Sequence, residues 1–314
     1  MRLLEHGRID SRHDNLNGSG SCRRRYRSTS RYRFNVLDLL NLFGQKAIIY
    51  HMFADLDMTR IRAYREKARL EGKRITITAF LLKAISMAQV EHPVSRTFFL
   101  PPLRAVTYNK IVAGFTVERM IDGSPAVFFG EIERPHEKSL EEIAGRLEEF
   151  AEDPIESVPK LRVQKLFAEM PVPLRQLVWH LGEWFPALRV KCSEATFGLS
   201  SLGALGIDSV CGPSVCTCVF GIGQLVEKVV AQDGTLVVKP LMTVALSFDQ
   251  RVMSSYQAAR FFGLVKELME GELPELKALD PALIKEPERF PLSAFAPEDS
   301  GENPGKEEIS PEGT

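Results

Sequence analysis

Residues 241–255 have the sequence LMTVALSFDQRVMSS, and this stretch decides which fold the chain can adopt. From residue 242 to residue 249, large apolar side chains alternate with small or polar ones. A period of two indicates a β-strand that packs one face against a core. The strand is predicted to end in three polar residues, Asp249, Gln250 and Arg251. Because arginine binds carboxylates well, a structural ion pair between Asp249 and Arg251 is predicted there.

A helix is predicted directly after this polar turn. Ser254 is followed three residues later by Gln257, the pattern of a capping box in which each side chain bonds the backbone N–H of the other residue. The helix is predicted to run to residue 270 and to stop at Gly271, since glycine is favoured just beyond a helix end. Helix capping alone therefore accounts for a serine at position 254.

The rest of the chain alternates strand-like and helical patterns, without an internal repeat. Strands are predicted at 47–58, 103–117, 126–132, 196–201 and 215–220, and a long strand pair at 236–249 follows an Asp233-Gly234 turn. Helices are predicted at 59–70, 78–91, 139–150 and 173–188. This order of elements predicts one mixed α/β domain over residues 34–278.

The composition excludes several classes of protein. The chain has 314 residues, of which 44% are hydrophobic and 26% charged, and its net charge is −1. These values are ordinary for a soluble globular protein and indicate neither a nucleic acid nor a membrane as partner. The sequence contains no apolar run long enough to span a membrane and no secretory signal at its start. Five cysteines in a chain of this length favour a reducing, cytoplasmic setting.

The two ends of the chain differ from the middle. Residues 1–33 combine an arginine-rich run with serine and glycine, which predicts a disordered basic arm. The arm is either a solvated tail or a docking segment for an anionic surface. Residues 279–314 are rich in Pro, Glu, Gly and Ser, which predicts a disordered acidic tail.

Three cysteines, Cys211, Cys216 and Cys218, lie close together in the sequence. They lack the Cys-x-x-Cys spacing or the interleaved histidines of a zinc site. Two of them alternate along an apolar strand, as small buried hydrophobic residues do. No metal site is therefore predicted.

The strand, turn and helix of residues 241–261 resemble the closing signature of the dihydrolipoyl acyltransferases, the core subunits of 2-oxo acid dehydrogenase complexes. That signature is an apolar strand, then D-H-R-x-x-D-G, then a helix containing A-A-R-F, which stands here at 258–261. Further segments resemble other motifs of the family in the same order: 55–59 (DLDMT), 78–84 (TAFLLKA), 138–143 (KSLEEI), 197–203 (FGLSSLG) and 220–223 (FGIG). Each motif is weak alone, and their shared order is stronger evidence for the fold than for the activity.

The resemblance implies a chloramphenicol acetyltransferase-like α/β fold, a mixed sheet flanked by helices that assembles as a homotrimer or a multiple of it. It implies acyl transfer between coenzyme A and a dihydrolipoyl thiol at a site between subunits. Coenzyme A or acyl-coenzyme A would be a substrate, with no tightly bound cofactor. The chain looks like a short, stand-alone form without a lipoyl domain, which implies a lipoyl-bearing protein or a homologous acyltransferase subunit as partner.

Residue by residue, the resemblance carries the oxyanion-binding serine onto Ser200 and the catalytic histidine onto Gln250. The aspartate four residues after the histidine maps onto Ser254, while the flanking Asp249 and Arg251 are kept as support. A glutamine amide cannot accept a proton near neutral pH, so the general base is missing. Three hypotheses stay open: weakened or altered acyl transfer, a non-catalytic scaffold or regulatory subunit, and a different chemistry in the same channel. For Ser200, a strand-end hydroxyl without a catalytic role is the alternative.

No other histidine is predicted to replace the missing base. None of the six histidines matches the motif: His6, His13, His51, His92, His136 and His180. Of these, His51 is predicted on the first strand and His180 on an amphipathic helix.

Overall fold

The structure is a computed structural model and describes residues 47–100, 104–121, 124–171, 173–174, 177, 194–212 and 216–291. The predicted arm at 1–33, most of the predicted helix at 173–188 and the part of the predicted tail after 291 lie outside these residues. The strands are β1 (Ile49–Asp57), β2 (Thr97–Leu100), β3 (Arg104–Thr107), β4 (Val112–Ile121), β5 (Ser124–Glu133), β6 (Phe197–Ser201), β7 (Cys218–Gln232), β8 (Thr235–Asp249) and β9 (Arg289–Pro291). The helices are α1 (Thr59–Leu70), α2 (Ile77–Glu91), α3 (Leu140–Glu152), α4 (Pro159–Glu169), α5 (Ser255–Glu267) and α6 (Pro274–Lys277).

One mixed sheet organises the described residues, in the order β1-β8-β7-β6-β4-β5, with β9 paired to β8. The pairs β6–β7 and β4–β6 are parallel, whereas β1–β8, β7–β8 and β4–β5 are antiparallel. Strands β2 and β3 form a separate two-stranded sheet. The predicted fold class, a mixed sheet flanked by helices, is confirmed.

The two faces of β8 differ as the alternation predicted. Met242, Val244, Leu246 and Phe248 are each at most 1% exposed and belong to the main hydrophobic cluster, together with residues of α2 and α5. Truncating the aromatic side chain among them, Phe248, to alanine would lower the free energy of unfolding by about 3–5 kcal/mol. The opposite face carries small or polar side chains, and Ala245, Ser247 and Asp249 on that face are also buried, so this part of the strand is covered on both sides.

Helix α2 is buried on more than one side because it lies between the sheet and other helices. Its N-terminus is capped by Thr76, whose side chain accepts a hydrogen bond from the backbone N–H of Ala79. Phe80 and Leu81, which are consecutive and point in different directions around the helix, are both fully buried. Lys83 is also buried and forms an ion pair with Glu275 of α6. A charge in this position is tolerated because its partner is close.

The strand predicted at 103–117 is wrong as one element, since the structure divides it into β3 and the first part of β4. The division follows from a local hairpin with β2. The backbone N–H of Tyr108 donates to the carbonyl of Arg96 at 3.1 Å, and the Arg96 guanidinium returns bonds to the carbonyls of Tyr108 and Asn109. These contacts turn the chain at residues 108–111, and alternation along one segment cannot reveal them because they join two different strands.

The strand predicted at 215–220 continues instead through Gly221-Ile222-Gly223, as part of the fifteen-residue strand β7. The glycines were expected to end it, but a glycine can stay in a strand where another backbone approaches closely. The turn at Asp233-Gly234 is confirmed, with φ of 50° and 73° at the two residues. Thr235–Asp249 is a single strand, paired with β7 across that turn.

The folded domain extends beyond the predicted boundary at residue 278. β9 pairs with the start of β8, with Arg289 opposite Val237, so the tail expected from residue 279 onward is in part a strand.

No helix was predicted at Pro159–Glu169, where α4 forms. Its Gln164 amide bonds both the N–H and the carbonyl of Phe129 at 2.9 and 2.7 Å, and so holds the helix against the outer strand β5.

Candidate functional site

Ser200 lies near the end of β6, in the middle of the sheet, and its side chain is half-buried. Its hydroxyl oxygen accepts a hydrogen bond from the Thr116 hydroxyl on the neighbouring strand β4, with 3.3 Å between the oxygens. A serine hydroxyl that accepts one bond keeps its own proton for another acceptor. The predicted oxyanion-binding residue is therefore a half-buried hydroxyl whose O–H is not used in the bond from Thr116 and can be donated to a ligand.

A backbone segment covers the strand next to Ser200. Ser200 lies opposite Gly221 of β7, and a Cβ atom on Gly221 would be 1.7 Å from the carbonyl oxygen of Val210. Gly223 is approached as closely by the carbonyl of Asp208. Both positions need glycine because any side chain would overlap this segment. Residues 207–210, called here the covering segment, thus form one wall beside Ser200.

The predicted ion pair at the end of β8 is confirmed. The Asp249 carboxylate accepts from the Arg251 guanidinium through both oxygens, with the closest contact at 2.6 Å. It also accepts from the backbone N–H of Arg251 at 3.1 Å and of Ile48 at 3.4 Å. Asp249 is 6% exposed. The Asp249 carboxylate therefore stabilises the turn and links the turn to the residue before β1.

Gln250 follows this carboxylate and is exposed. Its backbone N–H donates to the carbonyl of Ile48 at 2.8 Å, so its main chain is held while its side chain faces outward. An amide at this place can donate and accept hydrogen bonds but cannot take up a proton near neutral pH.

Ser254 is engaged as a helix cap. Its hydroxyl accepts from the backbone N–H of Gln257 at 3.3 Å, and the Gln257 side chain accepts from the backbone N–H of Ser254 at 3.0 Å. The predicted capping box is confirmed. The second oxygen contact, from the Ser254 hydroxyl to the Gln257 amide at 3.1 Å, keeps both side chains on the helix end.

The structure does not bring Ser200 and Gln250 together within one chain. Ser200 shares a row with Gly221 and Ala245 across β6, β7 and β8, whereas Gln250 follows Ala245 by five residues. At about 3.4 Å per residue and about 4.8 Å per strand spacing, the two residues are about 20 Å apart. At this separation, the two side chains of one chain do not face the same small ligand.

Sequence reasoning missed Thr116 and the covering segment. The threonine carries no motif, and its contact depends on the parallel pairing that sets Phe115 opposite Leu199. The signal available in the sequence was glycine at positions 221 and 223, where a strand pattern is interrupted by residues without a side chain.

His51 does not take the place of the missing base. It lies on β1 opposite Ser247, and its Nδ1 contacts the Ser247 hydroxyl at 2.8 Å. Ser247 precedes Gln250 by three residues, so the imidazole is about 10 Å along the strand from that position. Burial lowers the pKa of His136, which lies in a short 3-10 helix after β5, the edge strand at the opposite end of the sheet from β1.

Two of the three clustered cysteines are buried, as predicted. Cys216 is 5% exposed and Cys218 fully buried, and burial raises the pKa of the Cys218 thiol well above its ordinary value. Cys211 is exposed instead.

Among the described residues, no group of His, Cys, Asp and Glu is arranged to hold a metal ion. Within the same residues, none of the helices has the length and apolarity needed to cross a membrane.

Residues 189–277 match the family described as 2-oxoacid dehydrogenases acyltransferase (catalytic domain). The lipoamide acyltransferase component of the branched-chain alpha-keto acid dehydrogenase complex of Pseudomonas putida is 40% identical over 87 residues, which are 27% of this chain and 20% of that protein. The dihydrolipoyllysine-residue acetyltransferase component of the pyruvate dehydrogenase complex of a Staphylococcus epidermidis strain is 22% identical over 223 residues, 70% of this chain and 43% of that protein. The chain thus spans less than half the length of these relatives.

Solved structures show the same fold over most of the chain. A dihydrolipoamide acetyltransferase of Azotobacter vinelandii superposes with a TM-score of 0.62 at 17% identity, covering 87% of this chain and 100% of that one. A probable dihydrolipoamide acetyltransferase of Listeria monocytogenes superposes with a TM-score of 0.59 at 19% identity, covering 80% and 96%. The chain therefore has the fold of these dihydrolipoamide acetyltransferases, and its residues 189–277 resemble the acyltransferase catalytic domain of the 2-oxoacid dehydrogenases.

Proposed function

We propose that the protein is a coenzyme A-dependent acyltransferase with weakened catalysis, which passes an acyl group between coenzyme A and a dihydrolipoyl-type thiol. The observation that carries the proposal is the half-buried Ser200 hydroxyl, which has a free proton and stands on the same fold as the relatives. Coenzyme A and the thiol are substrates in this proposal, and no tightly bound cofactor is needed. Free cysteines fit a cytoplasmic location.

The spacing of three residues supports this assignment. The Azotobacter vinelandii structure was solved to investigate a serine, a histidine and an asparagine in the catalytic mechanism, and the histidine precedes the asparagine by four residues and follows the serine by 52. Here Gln250 precedes Ser254 by four residues and follows Ser200 by 50. The equal four-residue spacing and the similar longer spacing support the proposal that Gln250 stands where that relative has its histidine.

The chemistry needs a thiolate and an oxyanion site. The acceptor sulfur attacks the thioester carbonyl carbon, the carbonyl electrons move to oxygen, and the tetrahedral intermediate collapses with coenzyme A leaving as its thiolate. The Ser200 hydroxyl donates to the oxyanion, and one such donor is worth about 10²–10³-fold in rate. Gln250 cannot remove the thiol proton, which forfeits about 10²–10⁴-fold. The reacting thiolate must then form in solution, where a free thiol has a pKa of about 8.5.

The site is composite in this proposal, formed by Ser200 of one subunit and Gln250 of its neighbour in a trimer. The separation of about 20 Å within one chain requires such an arrangement if both residues serve one substrate. Apolar side chains on the outer strand β1 are available for an interface, since Tyr50 is 47% and Phe53 57% exposed. The acyl donor or acceptor would be carried by a lipoyl-bearing partner protein.

The second candidate is a non-catalytic scaffold or regulatory subunit that co-assembles with an active homologue. It is favoured by the polar turn, where the Asp249 carboxylate and the Ser254 hydroxyl are both committed to local structure. In this hypothesis the fold and the subunit interface persist while the chemistry is lost.

Turnover and assembly together separate the two candidates. Purified protein is incubated with acetyl-coenzyme A and dihydrolipoamide, and free coenzyme A is followed from pH 6 to pH 9. We expect slow transfer that rises with pH as thiolate forms, without the bell shape of an imidazole base. Light scattering should give a trimer or a multiple of three. A trimer that binds coenzyme A but transfers nothing at any pH supports the scaffold, and a stable monomer contradicts the composite site.

A further inference from the structure

We propose that Thr116 is a positioning residue that orients the Ser200 hydroxyl towards the oxyanion. The inference rests on the proposed function and adds to it a residue that no motif of the family signature contains. Thr116 is a positioning residue rather than a catalytic one, because it acts on the substrate only through Ser200.

The sheet register creates this contact. β4 and β6 run parallel, with Phe115 opposite Leu199, so the next residue of each strand, Thr116 and Ser200, lies on the same face. That face is the one opposite the hydrophobic cluster to which Phe115 and Leu199 belong. The two hydroxyl oxygens are 3.3 Å apart, with Thr116 as the donor.

The direction of the bond decides its chemical effect. A serine hydroxyl has one proton and two lone pairs, and the bond from Thr116 occupies a lone pair. The Ser200 proton is then left for the developing oxyanion. A hydroxyl that accepts a hydrogen bond is also polarised into a stronger donor, since chained hydrogen bonds reinforce one another. Without Thr116 the Ser200 hydroxyl could rotate among its staggered positions and point its proton elsewhere.

The other neighbours of Ser200 in the sheet cannot perform this task. The residue opposite it on β7 is Gly221, and the residue two positions earlier on its own face is Gly198, so both lack a side chain. The covering segment approaches Gly221 with the carbonyl of Val210, which is an acceptor, and the buried Ser209 hydroxyl of that segment makes no hydrogen bond to Ser200 among the described residues. Thr116 supplies a donor on the remaining side, that of β4.

The test compares Thr116→Val, which keeps the side-chain shape, with Thr116→Ser, which keeps the hydroxyl. Acetyl transfer from acetyl-coenzyme A to dihydrolipoamide is measured for both, in the wild-type chain and in a chain with Gln250→His and Ser254→Asp, which restores the family's base and is expected to be faster. We expect Thr116→Val to lower kcat about three- to tenfold, the range for one lost hydrogen bond, with KM for acetyl-coenzyme A within about twofold. Thr116→Ser should retain most of the rate. Thr116→Ala is the second variant if the valine chain does not fold.

A double-mutant cycle with Ser200→Ala excludes a purely structural role, because two residues that act as a unit are not additive. We expect Thr116→Val to have no further effect once Ser200 is alanine. An equal loss of rate in the Ser200→Ala chain, or no loss in the Ser200 chain, overturns the inference and leaves the proposed function standing. If neither background transfers acetyl groups while both chains fold, the proposed function fails and this inference fails with it.

Discussion

The middle of the sheet around Ser200 and the turn around Gln250 differ in how their polar groups are used. At Ser200 the hydroxyl receives a bond from Thr116 and keeps a proton to give, and glycines make room for the covering segment beside it. At the turn, the Asp249 carboxylate bonds Arg251 and two backbone N–H groups, and Ser254 caps α5. The Ser200 hydroxyl can therefore still donate a hydrogen bond to a ligand. The Asp249 carboxylate and the Ser254 hydroxyl, in contrast, are engaged in contacts that stabilise the turn and the helix.

If the two regions form one composite site, as proposed, this difference teaches that its two halves can diverge separately. The region around Ser200 depends on the pairing of β6 with β4 and β7, so a change in that pairing would disturb the sheet. The Gln250 half is an exposed turn, where a histidine can be replaced without breaking a core contact. In the proposed function, loss of the base at this exposed position costs little stability, although it removes the titrating group.

Restoring the base should have the largest effect. We expect Gln250→His with Ser254→Asp to raise acetyl transfer by about 10²–10⁴-fold near pH 7, since that is the usual contribution of a general base. The single change Gln250→His is the control for orientation of the imidazole. An inert double variant that still assembles and binds coenzyme A would mean that the Ser200 half has diverged too.

Removing the oxyanion donor should have the next largest effect. Ser200→Ala should lower kcat by about 10²–10³-fold in the restored chain. The matched control is Ser201→Ala, because the next residue of the strand points to the other face of the sheet. Equal rates for the two variants would show that Ser200 is only a strand-end hydroxyl.

Filling the space beside Ser200 should reduce the stability of the fold. Gly221→Ala places a Cβ atom against the Val210 carbonyl at 1.7 Å, and overpacking of this kind costs about 1–3 kcal/mol in the free energy of unfolding. Gly145→Ala on α3 is the control, since nothing lies within 4 Å of its added atom and alanine favours a helix by about 0.5–1 kcal/mol. Urea unfolding of both variants measures the difference. A neutral Gly221→Ala would mean that the covering segment does not pack on β7.

The smallest effect is expected at Ser254. Ser254→Ala should lower the free energy of unfolding by about 1 kcal/mol, the usual loss for a helix cap, and leave acetyl transfer within about twofold. Ser139→Ala, which removes the equivalent capping box of α3, should cost a similar amount. A loss of turnover at Ser254 without a matching loss at Ser139 would return this residue to the reacting site.

Local pattern was sufficient where a residue acts through its sequence neighbours. The alternation of β8, the capping box at Ser254 and the ion pair of Asp249 with Arg251 each involve residues at most a few positions apart. The amino-acid sequence alone therefore predicted the strand, turn and helix that carry the family resemblance.

Contacts between distant segments were decided by the tertiary structure. Pairing of β4 with β6 sets Thr116 beside Ser200 although 84 residues separate them. The close approach of residues 207–210 requires Gly221 and Gly223 inside a continuous strand, where the sequence pattern predicted an end. β9 joins β8 from a segment with the composition of a tail. Strand register also separates Ser200 from Gln250 by about 20 Å. The sequence pattern did not reveal this separation, because register depends on hydrogen bonds between strands and not on the order of side chains along one strand.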